Sequence, residues 1–144
     1  MILKKLNSVI LFQLDQTSKM AKQYSQREFD SLGIEITVDQ WVLLKVIEEN
    51  AGLSQSELAE MSFRDPASIT RTLDLLDKKG LIVRKPIANN RRQYSVELTK
   101  VGDYFIAQNS ELVADLRERA LKGFSKKEVE EFSNFLNRVQ KNFR

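Results

Sequence analysis

Long helical stripes at both ends of the chain, three short capped helices between them, and two strands joined by a basic turn predict a mainly α fold with a small β-hairpin (α+β). The segment from Thr37 to Thr99 reads helix, helix, helix, strand, strand, and its turn carries Asn89-Asn90-Arg91-Arg92. That order is a winged helix-turn-helix arrangement. The chain therefore divides into residues 1–36, residues 37–99 and residues 100–144.

From about Leu3 to about Phe29, Leu3, Leu6, Ile10, Leu14, Met20 and Ala21 fall on or near one helical stripe, with no Gly or Pro to interrupt it. A helix of roughly 25 residues spans about 40 Å, more than a small domain needs for its own core. Ser31-Leu32-Gly33 ends it, and Gly33 suits a C-terminal cap. Thr37-Val38-Asp39-Gln40 has the spacing of a capping box and opens a helix carrying Trp41, Leu43, Leu44, Val46 and Ile47. Ser54-Gln55-Ser56-Glu57 is a second such box, before a short helix with Leu58, Ala59 and Met61. Asp65 caps the next helix, and Pro66 fits its first turn because the missing N–H has no partner there. Lys78-Lys79-Gly80 closes that helix, placing cations at the negative end of the dipole ahead of a glycine stop.

Leu81–Val83 and Tyr94–Leu98 read as strands, with Pro86, Asn89 and Asn90 as turn formers between them. Thr99 caps a long helix from about Lys100 to about Lys122, with a stripe at Phe105, Leu112, Leu116 and Ala120 that Gly123 breaks. Ser125-Lys126-Lys127-Glu128 is a third capping box. It starts a last helix with Val129, Phe132, Phe135, Leu136, Val139 and Phe143 on one face.

Composition removes whole classes of function. The 144 residues include no cysteine and no histidine, which excludes thiol chemistry and argues against structural zinc. There is no nucleophile motif and no Gly-rich phosphate loop, so no catalytic, metal-binding or cofactor set is expected. Carboxylate groups such as Glu48-Glu49 and Glu128, Glu130 and Glu131 read as solvated helix faces. No apolar run is long enough to span a membrane and no secretion signal opens the chain, so a cytoplasmic protein is expected. Net charge is only +3, but Arg64–Lys100 holds nine Lys/Arg against four acids. That segment stands at +5 and leaves −2 for the rest, a distribution that attracts a polyanion such as double-stranded DNA.

With Ile69 at the centre of the buried face of the third short helix, Leu73, Leu76 and Thr72 lie near it. The outward face of the first two turns then presents Ala67, Ser68, Thr70 and Arg71. Small side chains let a helix approach base edges, and an arginine makes a bidentate contact to guanine. Asp74 and Lys78, four apart, are expected to pair. Arg84, Lys85, Arg91 and Arg92 are the basic residues of the wing, suited to straddling a phosphate backbone or entering a narrow minor groove. Ser54, Gln55 and Arg64 are the expected contacts to the DNA backbone.

The apolar stripes of the first and last helices need a partner, and a two-fold copy of the chain is the simplest one. Burying each of Phe132, Phe135 and Phe143 is worth roughly 1.5–3 kcal/mol. Residues 1–36 and 100–144 then act as dimerisation helices around the 37–99 lobe. A homodimer also spaces two reading helices about 34–36 Å apart, the separation of successive major grooves. The competing function is a ligand-sensing module whose winged helix acts mainly through protein–protein contacts.

Leu53-Ser54-Gln55-Ser56-Glu57-Leu58-Ala59, Ser68-Ile69-Thr70-Arg71 through Lys79-Gly80-Leu81-Ile82, Asn90-Arg91-Arg92, and Leu98-Thr99-Lys100-Val101-Gly102 together resemble the multiple-antibiotic-resistance regulator (MarR) family of bacterial winged-helix transcription factors. The resemblance covers about half the chain in detail. It implies a repressor-like homodimer on a pseudo-palindromic operator, with frequent release by small phenolic or other aromatic ligands. Ser68, Thr70 and Arg71 match its reading-helix positions, and Arg91 and Arg92 its wing. Tyr24, Trp41 and Tyr104 are aromatic residues with polar handles suited to lining a ligand pocket. The family often has Asp-Arg-Arg at the wing, where this chain has Asn90. An asparagine offers only a neutral acceptor, so wing rigidity is expected to differ. Without cysteine, the chain departs from the thiol-sensing branch of the family.

Overall fold

A computed structural model describes residues 5–144, apart from the side chain of Arg91. The expected start of the first helix at Leu3 lies outside the described residues. A short 3-10 turn (Leu6–Ser8) leads into α1 (Ile10–Leu32), α2 (Val38–Glu49), α3 (Gln55–Met61) and α4 (Pro66–Lys78). Strands β1 (Ile82–Ile87) and β2 (Asn90–Leu98), then α5 (Lys100–Ala120) and α6 (Lys126–Lys141), complete the chain.

The expected continuous first helix is interrupted. Ser8 Oγ donates to the Lys5 carbonyl at 2.8 Å, and Val9 is extended at φ −81° and ψ 119°. A hydroxyl that satisfies a nearby carbonyl competes with helix, and a β-branched residue favours extended backbone. At the other end α1 runs on to Leu32, where Gly33 adopts φ 72°. A left-handed residue after the last turn is the stop that glycine supplies without a Cβ clash.

All three capping boxes form. Thr37, Ser54 and Ser125 each accept from the backbone N–H three residues on, and Gln40, Glu57 and Glu128 reach back. Asp65 accepts from the Ser68 N–H at 2.8 Å. These caps fix where α2, α3, α4 and α6 begin, and so which faces turn inward.

The core gathers Phe29 from α1, Trp41, Leu44 and Ile47 from α2, Leu58 from α3, and Ile69, Leu73 and Leu76 from α4. Trp41 sits among aromatic rings, edge-on to Phe29 at 6.3 Å and tilted to Phe105 at 6.4 Å. On α5 the expected face is turned by about one residue. Ile106, Val113 and Leu116 are buried, Phe105 and Leu112 only partly, and Ala120 is exposed. Gly102 sets this rotation, because a Cβ there would stand 2.1 Å from the Leu81 carbonyl oxygen. The α5 backbone therefore lies directly on the root of β1.

The hairpin is longer than its sequence suggests. Antiparallel pairing runs from Ile82↔Leu98 to Pro86↔Tyr94, then shifts register and closes at Ile87↔Asn90. Pro86 thus belongs to β1 rather than to a turn, beside the irregularity, a place where a missing N–H is tolerated. The turn shrinks to Ala88-Asn89, with Asn89 at φ 67°. Val96 N–H also reaches the Leu53 carbonyl at 2.9 Å, which joins β2 to the segment ahead of α3.

Candidate nucleic-acid interface

Helix α4 is held at both ends. At its start, the Asp65 cap and the side chain of Arg64 fix the first turns: Arg64 Nη2 donates to Ser68 Oγ at 2.6 Å and Thr72 Oγ1 at 3.1 Å. At its end, Lys79 Nζ donates to the Glu35 carbonyl at 3.0 Å, and Thr99 Oγ1 donates to the Gly80 carbonyl at 2.6 Å. The helix is thus tied to the α1–α2 link through Glu35 and to the start of α5 through Thr99.

Its outward face is much as its spacing suggests. Ala67, Thr70 and Arg71 are exposed, while Ile69, Thr72, Leu73 and Leu76 are buried. Arg71 makes no hydrogen bond or ion pair to the described residues. Thr70 Oγ1 donates to the Pro66 carbonyl at 3.0 Å and accepts from Gln55 Nε2 at 3.3 Å. Gln55 thus ties α3 to the outward face. Ser68 is half-buried under Arg64 and stands on the flank of that face.

Two backbone-contact expectations change meaning. Ser54 is only 3% exposed, and its hydroxyl accepts from the Glu57 N–H at 3.1 Å. It is an internal cap, buried away from any phosphate. Arg64 is half-buried and turned onto α4, so it holds the first turns of that helix rather than projecting from them.

The wing divides in the same way. Arg84 faces α4: Nη1 lies 2.7 Å from Asp74 Oδ1, and Nη2 lies 2.9 Å from Asp77 Oδ2. Partial burial works against its charge, but hydrogen bonds and attraction from the two aspartates outweigh that and hold the guanidinium above its ordinary range. The expected Asp74–Lys78 pair is replaced by this one, because Arg84 offers a planar fork to both carboxylates. Lys85 Nζ pairs with Glu97 across the hairpin at 2.8 Å. Arg92 is exposed, whereas the Arg91 side chain lies outside the described residues. Asn90 Oδ1 accepts from the Arg92 N–H at 3.1 Å, so the asparagine braces its own turn.

The aromatic trio does not converge. Trp41 is buried among Phe29 and Phe105, with no partner for its indole N–H among the described residues. Tyr24 is half-buried and donates to the Leu116 carbonyl at 3.0 Å. Tyr104 faces solvent and accepts from Gln108 Nε2 at 3.0 Å. Among the described residues no cluster of acidic side chains is arranged to hold a metal, and no helix is long and apolar enough to cross a membrane.

Sequence reasoning missed Asp74 and Asp77 as a paired receptor for Arg84. Their three-residue spacing placed both on one side of α4, but nothing in the sequence set β1 against that side.

Residues 36–94 match the MarR family model. Among solved structures, a cysteine-to-serine mutant of MarR from E. coli in complex with operator DNA is 28% identical, with a TM-score of 0.79 over 95% of this chain and 99% of that one. A probable transcriptional regulator from Pseudomonas aeruginosa is 27% identical, with a TM-score of 0.78 over 94% of this chain and 99% of that one. The transcriptional regulator SlyA is 25% identical, with a TM-score of 0.81 over 94% of each chain. Residues 36–94 thus match a MarR-family domain, and the solved structures similar to the chain are transcriptional regulators.

Proposed function

We propose that the chain is a cytoplasmic, sequence-specific repressor that binds double-stranded DNA as a homodimer on a pseudo-palindromic operator. The observation that carries this reading is the exposed, clamped face of α4, with Ala67, Thr70 and an unpaired Arg71 at its start. In this reading α4 enters the major groove and Arg71 reads a guanine edge. Gln55 and Thr70 meet the flanking backbone, while Arg91 and Arg92 anchor on phosphate beside them.

The dimer takes residues 1–36 and 100–144 as its joining parts and 37–99 as its DNA-binding lobe. Leu6, Ile10 and Leu11 near the start, and Phe132, Phe135 and Phe143 near the end, are exposed in the single chain. The operator complex of the similar E. coli protein supports the DNA reading. Release by a small aromatic ligand completes it.

Selection of bound duplexes from a random pool tests the reading. Two inverted half-sites about one helical turn apart, centre to centre, are the expected product. A pool that stays unenriched would favour a module working through protein contacts.

A further inference from the structure

The apolar side of α6 has little of its own chain against it, and it meets the helix-turn-helix lobe at one point. Phe143, with Gln140 and Arg144, lines an open cleft of about 380 Å3 whose other wall is Phe63. Phe63 is 89% exposed and holds a left-handed backbone at φ 54°. It follows the end of α3, where its N–H reaches the Glu60 carbonyl at 3.3 Å and the Arg64 N–H reaches the Ala59 carbonyl at 3.3 Å. That is the helix stop glycine favours, and a bulky side chain is strained there. Within one chain, an exposed ring gives nothing back for the strain.

We propose that this cleft seats Phe124 of a second copy, so that the turn between α3 and α4 is itself part of the contact between subunits. The inference rests on the dimer reading above and adds its register. Phe143 lies eight positions after Phe135, and Phe124 lies eight positions before Phe132. Let two α6 helices run antiparallel about a two-fold axis with Phe132 of each against Phe135 of the other. Phe143 of each copy then falls opposite Phe124 of the partner subunit, and Phe124 is itself exposed.

Charge supports the same direction. The first half of α6 holds Glu128, Glu130 and Glu131 against Lys126 and Lys127, a net −1, while Arg138, Lys141 and Arg144 lie toward its end and just beyond without an acid among them. Antiparallel pairing sets each basic end against the weakly acidic first half, whereas parallel pairing sets the two basic ends together. Because Arg64 follows Phe63 and holds Ser68 and Thr72, contact at this turn links the spacing of the two copies to the seat of α4.

The absence of cysteine makes the test direct. A Phe124→Cys/Phe143→Cys protein is expected to oxidise to a covalent dimer on a non-reducing gel. Each single variant is expected to stay monomeric on that gel, because its cysteine faces a phenylalanine. Phe63→Gly supplies a second arm, since glycine accepts the positive φ and keeps the fold. Its dimer dissociation constant in sedimentation equilibrium is expected to rise at least roughly tenfold. If the unmodified protein is monomeric at every concentration, the dimer reading fails and takes this inference with it. If it is dimeric but the double variant links no faster than the singles, or Phe63→Gly leaves the constant unchanged, this inference alone is overturned.

Discussion

Arg84 Nη1 lies 2.7 Å from Asp74 Oδ1, and that pair ties the root of the wing to the exposed side of α4. Asp77 takes the other edge of the same guanidinium at 2.9 Å. The fork does two things at once. It sets the angle between β1 and α4, and it neutralises carboxylates that would otherwise face an approaching phosphate backbone.

Replacing Arg84 is therefore expected to weaken DNA binding without removing a phosphate contact. Arg84→Ala should lower affinity for specific and non-specific duplexes while leaving the slope of log affinity against log salt unchanged. A double-mutant cycle with Asp74→Ala, read by urea unfolding, should show a coupling of about 0.2–1 kcal/mol, because the pair is partly exposed. A salt slope that drops by about one unit would mean that Arg84 meets a phosphate directly.

Gly102 is the closest approach between α5 and the wing root. Gly102→Ala puts a Cβ 2.1 Å from the Leu81 carbonyl oxygen, a backbone atom that cannot swing aside. Thermal or urea unfolding should show a loss of about 1–3 kcal/mol, the usual range for overpacking. A variant as stable as the parent would mean that α5 is free to shift against β1.

Ser54 separates capping from DNA contact. Ser54→Ala should cost about 1 kcal/mol of stability by removing the cap at Glu57. DNA affinity at a temperature where the variant is fully folded should change little. Large loss of affinity at unchanged stability would show that the hydroxyl meets the DNA after all.

Asn90 braces the wing through the Arg92 N–H. Asn90→Ala should speed amide exchange at Arg92 and the neighbouring turn, with a modest loss of affinity for all sequences. Unaltered exchange there would mean that the two-residue turn holds itself.

Much of this architecture is legible from local chemistry. The capping residues at Thr37, Ser54, Asp65, Thr99 and Ser125 and the glycine stops at Gly33 and Gly80 each act on their own backbone within a few residues, so spacing alone reveals them. The buried face of α4 is legible for the same reason. What eluded the sequence depends on contacts between distant residues. Arg84 looked like a wing contact because its partners, Asp74 and Asp77, lie on another element. Arg64 and Ser54 read as contacts to the DNA backbone, but α4 takes the guanidinium as a donor and the Glu57 N–H takes the buried hydroxyl as its acceptor. The rotation of α5 came from one close approach, Gly102 to Leu81, which no periodicity records. Pro86 suggested a turn because proline usually ends a ladder, and a two-stranded hairpin with a register shift relaxed that rule.

The division of labour between α4 and the wing is the central claim, and salt-dependent binding of three proteins tests it. The parent, Arg71→Ala and Arg92→Ala would be titrated with a selected operator and with a scrambled duplex. Arg71→Ala is expected to lose about 1–3 kcal/mol on the operator and little on the scrambled duplex. Arg92→Ala is expected to weaken both alike and to lower the salt slope, by about one unit for each phosphate that the arginine neutralised. An Arg71→Ala protein that still prefers the operator by the parent's margin would contradict the account, because α4 would then not be the element that reads.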